Sequence, residues 1–365
     1  KRNDRQNAII TDYFLDNRGP DLPRDKDLLE RVKKVREQVQ ALKAKLPRYT
    51  QAYVIADDPE AGPTHIAVRG DYKRPGVKVD PRPVAAVGPY GPGADPPRLA
   101  FAKWLVSASN PLTPRVIMNR TWQEFFGRGL VKTSEDFGTQ GDRPTHPELL
   151  DYLAREFREG GWSMKRMHRL IVTSATYKQS SNARPELKDR DPDNALLARQ
   201  TRLRLSAEHI RDAALGASGL LTTTVGGPSI KPPQPASVTS LGYGGRRWEE
   251  STGPERYRRG LYVHFQRTTP HPQLMNFDAP QGDVACSRRR VSNTALQALN
   301  LLNDPVFLEA ARALAWQMER EGLTATVERA LGRPPDDTER TQLAKLDPLT
   351  AARVLLNLDE FMTRE

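Results

Sequence analysis

The chain has 365 residues, 37% hydrophobic and 28% charged, with 30 prolines, 25 glycines and a formal net charge of +11. Its single cysteine, Cys286, excludes an internal disulfide framework and an all-cysteine metal site. No apolar run reaches the 18 residues of a membrane-spanning helix.

Apolar residues recur in tight helical blocks, and the high proline and glycine load reads as long connections between them. The expected class is mainly α with a minor antiparallel β hairpin or sheet. In chain order, residues 4–17 read as a short helix with Ile9, Ile10, Tyr13 and Phe14 inward. Leu28, Val32, Val35, Val39, Leu42 and Leu46 then step by four and three, a heptad seam that ends at Pro47. At under three repeats, a helix laid on its own domain is favoured over an oligomer zipper. Tyr53–Ala56 against His65–Arg69, about a turn at Asp57–Pro63, predicts a hairpin. A proline- and glycine-rich extended strap follows.

From Arg98 onward helices are expected. They lie at Leu99–Leu105, at Pro114 to Gly127, from Pro147, over Met164–Ser174, after a Ser206 cap, from Thr294, from Asp304–Pro305, over Thr324–Leu331 and over Pro348–Met362. "RRGLYVHFQR" predicts a strand. The segments are thus 1–50 (N-terminal helices), 51–98 (hairpin and strap), 99–222 (helical core), 223–258 (Gly/Pro/Arg-rich loop) and 259–365 (strand and C-terminal helices). One compact domain is expected from about 64 to 361.

"DFGTQGDRPTHPELLDYLAREF" carries the densest polar loop. Thr145 and Glu148 fit a capping box around Pro147, which leaves His146 beside Asp142 and Arg143. Were the chain an enzyme, Arg120, Asp136, Asp142 and His146 would be its catalytic candidates. A structural role for the lone histidine is the favoured reading. A second polar set, Asp278, Cys286, Arg289, Arg290, Asn303 and Asp304, is expected to fasten loops or meet a partner. In "ACSRRR" three arginines could favour a Cys286 thiolate, but a buried inert thiol is preferred.

The six histidines show no helical i, i+4 pair and no HExxH. The chain has no Cys-x-x-Cys-His for haem and no Gly-x-Ser-x-Gly, and its glycine loops fit neither nucleotide fingerprint. No metal or cofactor site is therefore assigned within it. The positive charge admits a polyanion, an acidic protein partner, or, as the favoured reading, a solvated surface with internal Arg–carboxylate pairs. Without a basic helix carrying interleaved aromatics, nucleic acid ranks last.

Five blocks carry a family resemblance: "NRTWQEFFGRGLVKTSEDFGTQGDRPTHPELLDYLAREFREGGWSMKRMHRLIVTSATYKQSS", "LRLSAEHIRDAALGASGLL", "RRGLYVHFQR", "FDAPQGDVACSRRRVSNTALQALNLLNDP" and "ARVLLNLDEF". In this order they resemble the planctomycete-type cytochrome-associated C-terminal domain, the PSD domain, a family of unknown function. The resemblance runs from about Thr64 to Phe361 and departs at Ala295, where a proline is common. It implies a domain ending a large exported protein, after a cytochrome c domain and a second helical domain. The first residue, Lys1, is not a methionine, so a piece of such a longer chain is expected. It also implies an extracytoplasmic location, haem c only on an associated domain or subunit, and no catalytic residue to carry over. The expected function is a non-catalytic scaffold or interaction domain with protein partners. The alternative is an enzyme domain acting on a polyanionic glycan, with electrons from a haem partner.

Overall fold

A computed structural model describes residues 26–45, 52–56, 62–91, 93, 95–239 and 248–364, with positions 4, 6, 7, 10 and 13. Two compact units divide the chain, Lys1–Asp80 and Pro81–Glu365. The boundary places the hairpin in the first unit, so the compact helical body begins later than residue 64.

In the first unit, positions 4, 6, 7, 10 and 13 of the helix expected over 4–17 are helical, and the rest of it lies outside the described residues. Helix α1 spans Lys26–Lys45. Of its heptad seam, Val35, Val39 and Leu42 are exposed; Leu46 lies outside the described residues, as do the side chains of Leu28 and Val32.

The hairpin forms one segment later than expected. Strand β1 (Thr64–Ala67) pairs antiparallel with β2 (Pro75–Val79), in the register Thr64↔Val79 and Ala67↔Pro75. Tyr53–Ala56 is not a strand, and Asp57–Ala61 of the expected turn lies outside the described residues. The turn sits instead at Arg69 and Gly70, both left-handed (φ 56° and 78°). Asp71 Oδ1 steadies it by accepting the Lys73 amide at 2.9 Å.

The second unit opens with the strap, irregular apart from a 3₁₀ turn at Ala85–Val87. Helices α2 (Pro97–Leu105), α3 (Leu112–Phe126), α4 (Pro147–Glu159) and α5 (Met164–Val172) follow. Residues at helical spacing on three of them build one core: Met118, Trp122 and Phe126 of α3, Leu150, Leu153 and Phe157 of α4, Met167 and Ile171 of α5. Trp122 stacks on Phe126 with centroids 4.2 Å apart. Each such side chain contributes about 2–3 kcal/mol by leaving water.

After β3 (Leu203–Arg204) come α6 (Ala207–Ala217), the short α7 (Ala236–Thr239) and α8 (Pro272–Asn276), then α9 (Ala295–Asn303), α10 (Pro305–Glu321), α11 (Leu323–Leu331), α12 (Asp337–Leu343), α13 (Pro348–Leu356) and α14 (Asp359–Met362). A second core joins Ile210 and Ala214 of α6, Ala310, Ala311 and Leu314 of α10, and Ala352 and Leu356 of α13. The alanines let these helices approach closely. Strand β4 (Thr363–Arg364) pairs antiparallel with β3. Arg364 Nη2 then donates to the carbonyls of Glu124 and Phe125 at the C-terminal end of α3, where a cation meets the negative end of the helix dipole.

"RRGLYVHFQR" is not a strand. It forms a 3₁₀ turn at Gly260–Tyr262, flanked by single bridges from Thr222 to Arg258 and from Ile230 to Val263. The amides find other partners: Tyr262 N and Val263 N donate to the nearby Arg259 and Gly260 carbonyls, and Gly260 N donates to Asp212 Oδ1 of α6 at 2.6 Å, so they are spent on a turn and on the helix rather than on a ladder. The sequence reading omitted α7, α8 and α12. All three are short, and α12 opens on a capping box, Asp336 with Glu339, that the Asp-x-x-Glu spacing makes legible.

Candidate functional site

The loop after α3 is built on a buried amide. Asn119 is fully buried and pairs both ways with the Val131 main chain: Val131 N donates to Oδ1 (2.8 Å), and Nδ2 donates to the Val131 carbonyl (3.0 Å). Ser134 Oγ donates to Gln123 Oε1, and Gln123 Nε2 donates to the Ser287 carbonyl at 3.2 Å. A polar line therefore runs from α3 to the loop before α9. Gly129 is required beside it, because a Cβ would lie 2.5 Å from Asn119 Nδ2.

Farther along, Asp136 Oδ1 accepts the Gly138 amide at 2.7 Å, and Thr133 Oγ1 accepts the Asp142 amide at 2.9 Å. Both are turn-forming bonds. The capping box expected at Thr145 and Glu148 does not form. Pro147 occupies the first helical position and pushes His146 into the extended region, so His146 is the flanking residue and Thr145 lies one place too early. Thr145 instead turns back, its amide donating to the Leu130 carbonyl at 2.9 Å, and its hydroxyl lies 3.0 Å from His146 Nδ1. Ser206 precedes α6 as expected, but its hydroxyl meets His209 Nδ1 at 2.9 Å rather than a helix amide.

Arg120 and Asp142 are exposed, while Asp136 and His146 are half-buried. No hydrogen bond or ion pair joins any two of these four among the described residues. A pocket of about 160 Å³ opens beside the C-terminal end of α3, and none of the four lines it.

The second expected set does not form one cluster. Asp278 is the hub of a clamp: Arg204 Nη2 donates to its Oδ2 (2.6 Å), as does the Ser292 amide (2.9 Å), and Ser292 Oγ donates to its Oδ1 (2.9 Å). Burial pushes the Asp278 carboxyl up, but the Arg204 and Ser292 hydrogen bonds outweigh it and hold the pKa below its usual value. Arg289 Nη1 pairs with Glu208 at 2.6 Å. Burial likewise raises Glu208, and the Arg289 bond overrides it, for a net lowering.

Cys286 and Arg290 are exposed, contrary to the preferred buried thiol. The connection before α9 passes over the surface here, and Cys286 Sγ donates to the Arg288 carbonyl at 3.2 Å. Asn303 is exposed and donates back to Leu299 O at 2.9 Å. Asp304 caps α10 as expected, its Oδ1 accepting the Val306 amide at 2.9 Å.

Asp304 also belongs to a buried group that the sequence reading did not assemble. Arg211 (2% exposed) and His271 (3%) lie within electrostatic reach of it. His271 Nε2 meets the Pro233 carbonyl at 3.0 Å, whereas its Nδ1 and Arg211 Nε have no hydrogen-bond partner among the described residues. Burial drives the Asp304 carboxyl up, the His271 imidazole down and the Arg211 guanidinium down to about 10. Trp248 lies over this group, with ring centroids 6.0 Å from His264 and 6.2 Å from His271. On either side of residues 240–247, which lie outside the described residues, the 222–258 segment meets this group through the Pro233 carbonyl, the Trp248 ring and the Arg256 carbonyl. The only sequence signal for His271 was its position beside a proline in a polar stretch.

Among the described residues, no three His, Cys, Asp or Glu side chains converge as metal ligands. No helix is long and apolar enough to cross a membrane among the same residues. A family model described as PSD1, protein of unknown function (DUF1553), matches residues 97–346, and the chain belongs to that family. The match is shorter at both ends than the Thr64–Phe361 span of the resemblance. No curated protein and no solved structure matches the chain.

Proposed function

We propose that this chain is a non-catalytic interaction domain that positions a haem-bearing partner domain or subunit within an extracytoplasmic assembly. The observation that carries this reading is α1. Val35, Val39 and Leu42 expose an apolar stripe, 56%, 41% and 64% accessible, on a helix with seven basic and three acidic side chains. That pattern suits a partner helix with an apolar seam and acidic flanks. The arginine–carboxylate pairs at Asp278, Glu208 and Glu309 support it, because each fastens one segment of this chain to another.

The test is native mass measurement of the complex isolated from its own source, monitored by haem absorbance. Haem that travels with the wild-type chain, and is lost in a Val35→Ser/Leu42→Ser variant that melts normally, supports the proposal. Free monomer alone rejects it.

A second reading, an enzyme domain acting on a polyanionic glycan, rests on the exposure of Arg120 and Asp142 and on a half-buried His146 at a helix start that no side chain caps. It requires turnover of an acidic polysaccharide that disappears in His146→Ala and Asp142→Ala while folding is retained.

A further inference from the structure

We infer that the pocket beside the C-terminal end of α3 binds a small acid, its carboxylate on Arg128 and its apolar body no larger than a phenyl ring on a two-carbon chain. Trp122, Phe126, Leu130 and Leu203 provide apolar lining, with Arg128, Thr145, Asp193 and Asn194 among the polar residues around them. Its volume, about 160 Å³, compares with the roughly 150 Å³ engineered apolar cavity that takes up benzene.

Arg128 gives the site its sign. Its Nε is shielded from solvent and has no hydrogen-bond partner among the described residues. The guanidinium only approaches Asp193 loosely, at 3.7 Å, and Lys132 Nζ lies 3.9 Å from the same carboxylate oxygen. Arg128 and Lys132 share that one exposed carboxylate, so one positive charge is left over within this trio. Four other arginine Nε atoms are likewise shielded and without a hydrogen-bond partner among the described residues, but of the five Arg128 alone lines the pocket, and a planar carboxylate is the group that its fork fits.

The opposite wall is held ready. Asp191 accepts the amides of Ala195 (2.7 Å) and Leu196 (2.8 Å), and Asn194 Oδ1 accepts the amide of Ala198 (3.0 Å). Asn194 and Leu197 keep left-handed backbones, φ 51° and 57°. Such strain persists where its surroundings over-determine it, and a fixed wall loses little freedom when a ligand enters.

The acid could be a free metabolite-sized molecule or the C-terminal residue of a peptide. The experiment titrates the full chain with 3-phenylpropanoate and with 3-phenylpropanamide, following Trp122 fluorescence and calorimetry. The expected result is binding of the acid about tenfold tighter than of the amide, as a charge-assisted bond confers. Arg128→Gln removes that preference without changing the melting temperature, and Ala195→Phe, which fills the pocket, abolishes both. A peptide ending in phenylalanine, free or amidated at its C-terminus, separates the two sources: tighter binding than 3-phenylpropanoate by the free-ended peptide alone assigns a chain terminus, and weaker binding a free acid. Equal binding of acid and amide, unchanged binding in Arg128→Gln, or no binding at millimolar acid overturns the assignment.

Discussion

Arg204 and Asp278, 74 positions apart, meet at 2.6 Å, and the same carboxylate takes both the amide and the hydroxyl of Ser292. One side chain thus ties β3 to the turn after α8 and to the connection before α9. Asp278 does this from a left-handed backbone (φ 62°), a conformation that aspartate and asparagine tolerate better than most residues.

Asp278→Asn keeps that tolerance and loses the charge. It is expected to lower stability by about 1–3 kcal/mol, the range for hydrogen bonds to charged groups, measured by urea unfolding at pH 7. The Asp278 pKa is depressed in the folded state, so its contribution is present above the unfolded value near 3.9 and is lost as pH falls through the folded value. The gap between wild type and variant therefore narrows below about pH 4. A constant gap would contradict the clamp.

Asn119→Ala strips both partners from the buried Val131 main chain. Two stranded backbone groups cost about 2–4 kcal/mol together. Chemical denaturation should show that loss, and proteolysis should cut first in residues 127–146, which hang on this pairing.

His271 is held neutral by burial, and its folded pKa is lowered. The unfolded chain therefore takes up a proton below about pH 6.5 that the folded chain refuses, and stability falls as pH drops through that window. The slope approaches about 1.4 kcal/mol per pH unit for one such group. Asp304, raised by burial, acts in the opposite sense, adding stability as pH falls from its folded pKa towards about 3.9. His271→Gln, which keeps a donor for the Pro233 carbonyl, should flatten the melting-temperature profile between about pH 5 and 6.5. An unchanged profile would remove His271 as its source.

Arg333 bridges Glu339 and Glu360 at 2.7 and 2.6 Å, and its bonds hold Glu339 down to about 2. The pair is open to solvent, so Glu339→Gln should cost less than about 1 kcal/mol, and less still at high salt. That cost should vanish as pH falls from about 4.3 towards the folded value. A larger, salt-independent loss would mark the bridge as buried in solution.

The helical architecture was legible because it rests on local rules. Gly127 closed α3, which starts two residues before the expected Pro114, Ser206 marked the start of α6, and Asp304–Pro305 started α10 by cap and fixed φ. The sequence also placed the chain in its family. Long-range geometry decided the rest. Whether "RRGLYVHFQR" became a strand depended on which partners its amides found, local carbonyls and Asp212 of α6 rather than a ladder, and the hairpin's pairing on a left-handed turn at Arg69–Gly70. The capping box failed because Pro147 moved the helix start by one residue. The group of Arg211, His271 and Asp304, and the pocket around Arg128, join residues whose separation along the chain carries no signal, since burial and charge act through space and only the packed chain sets those distances.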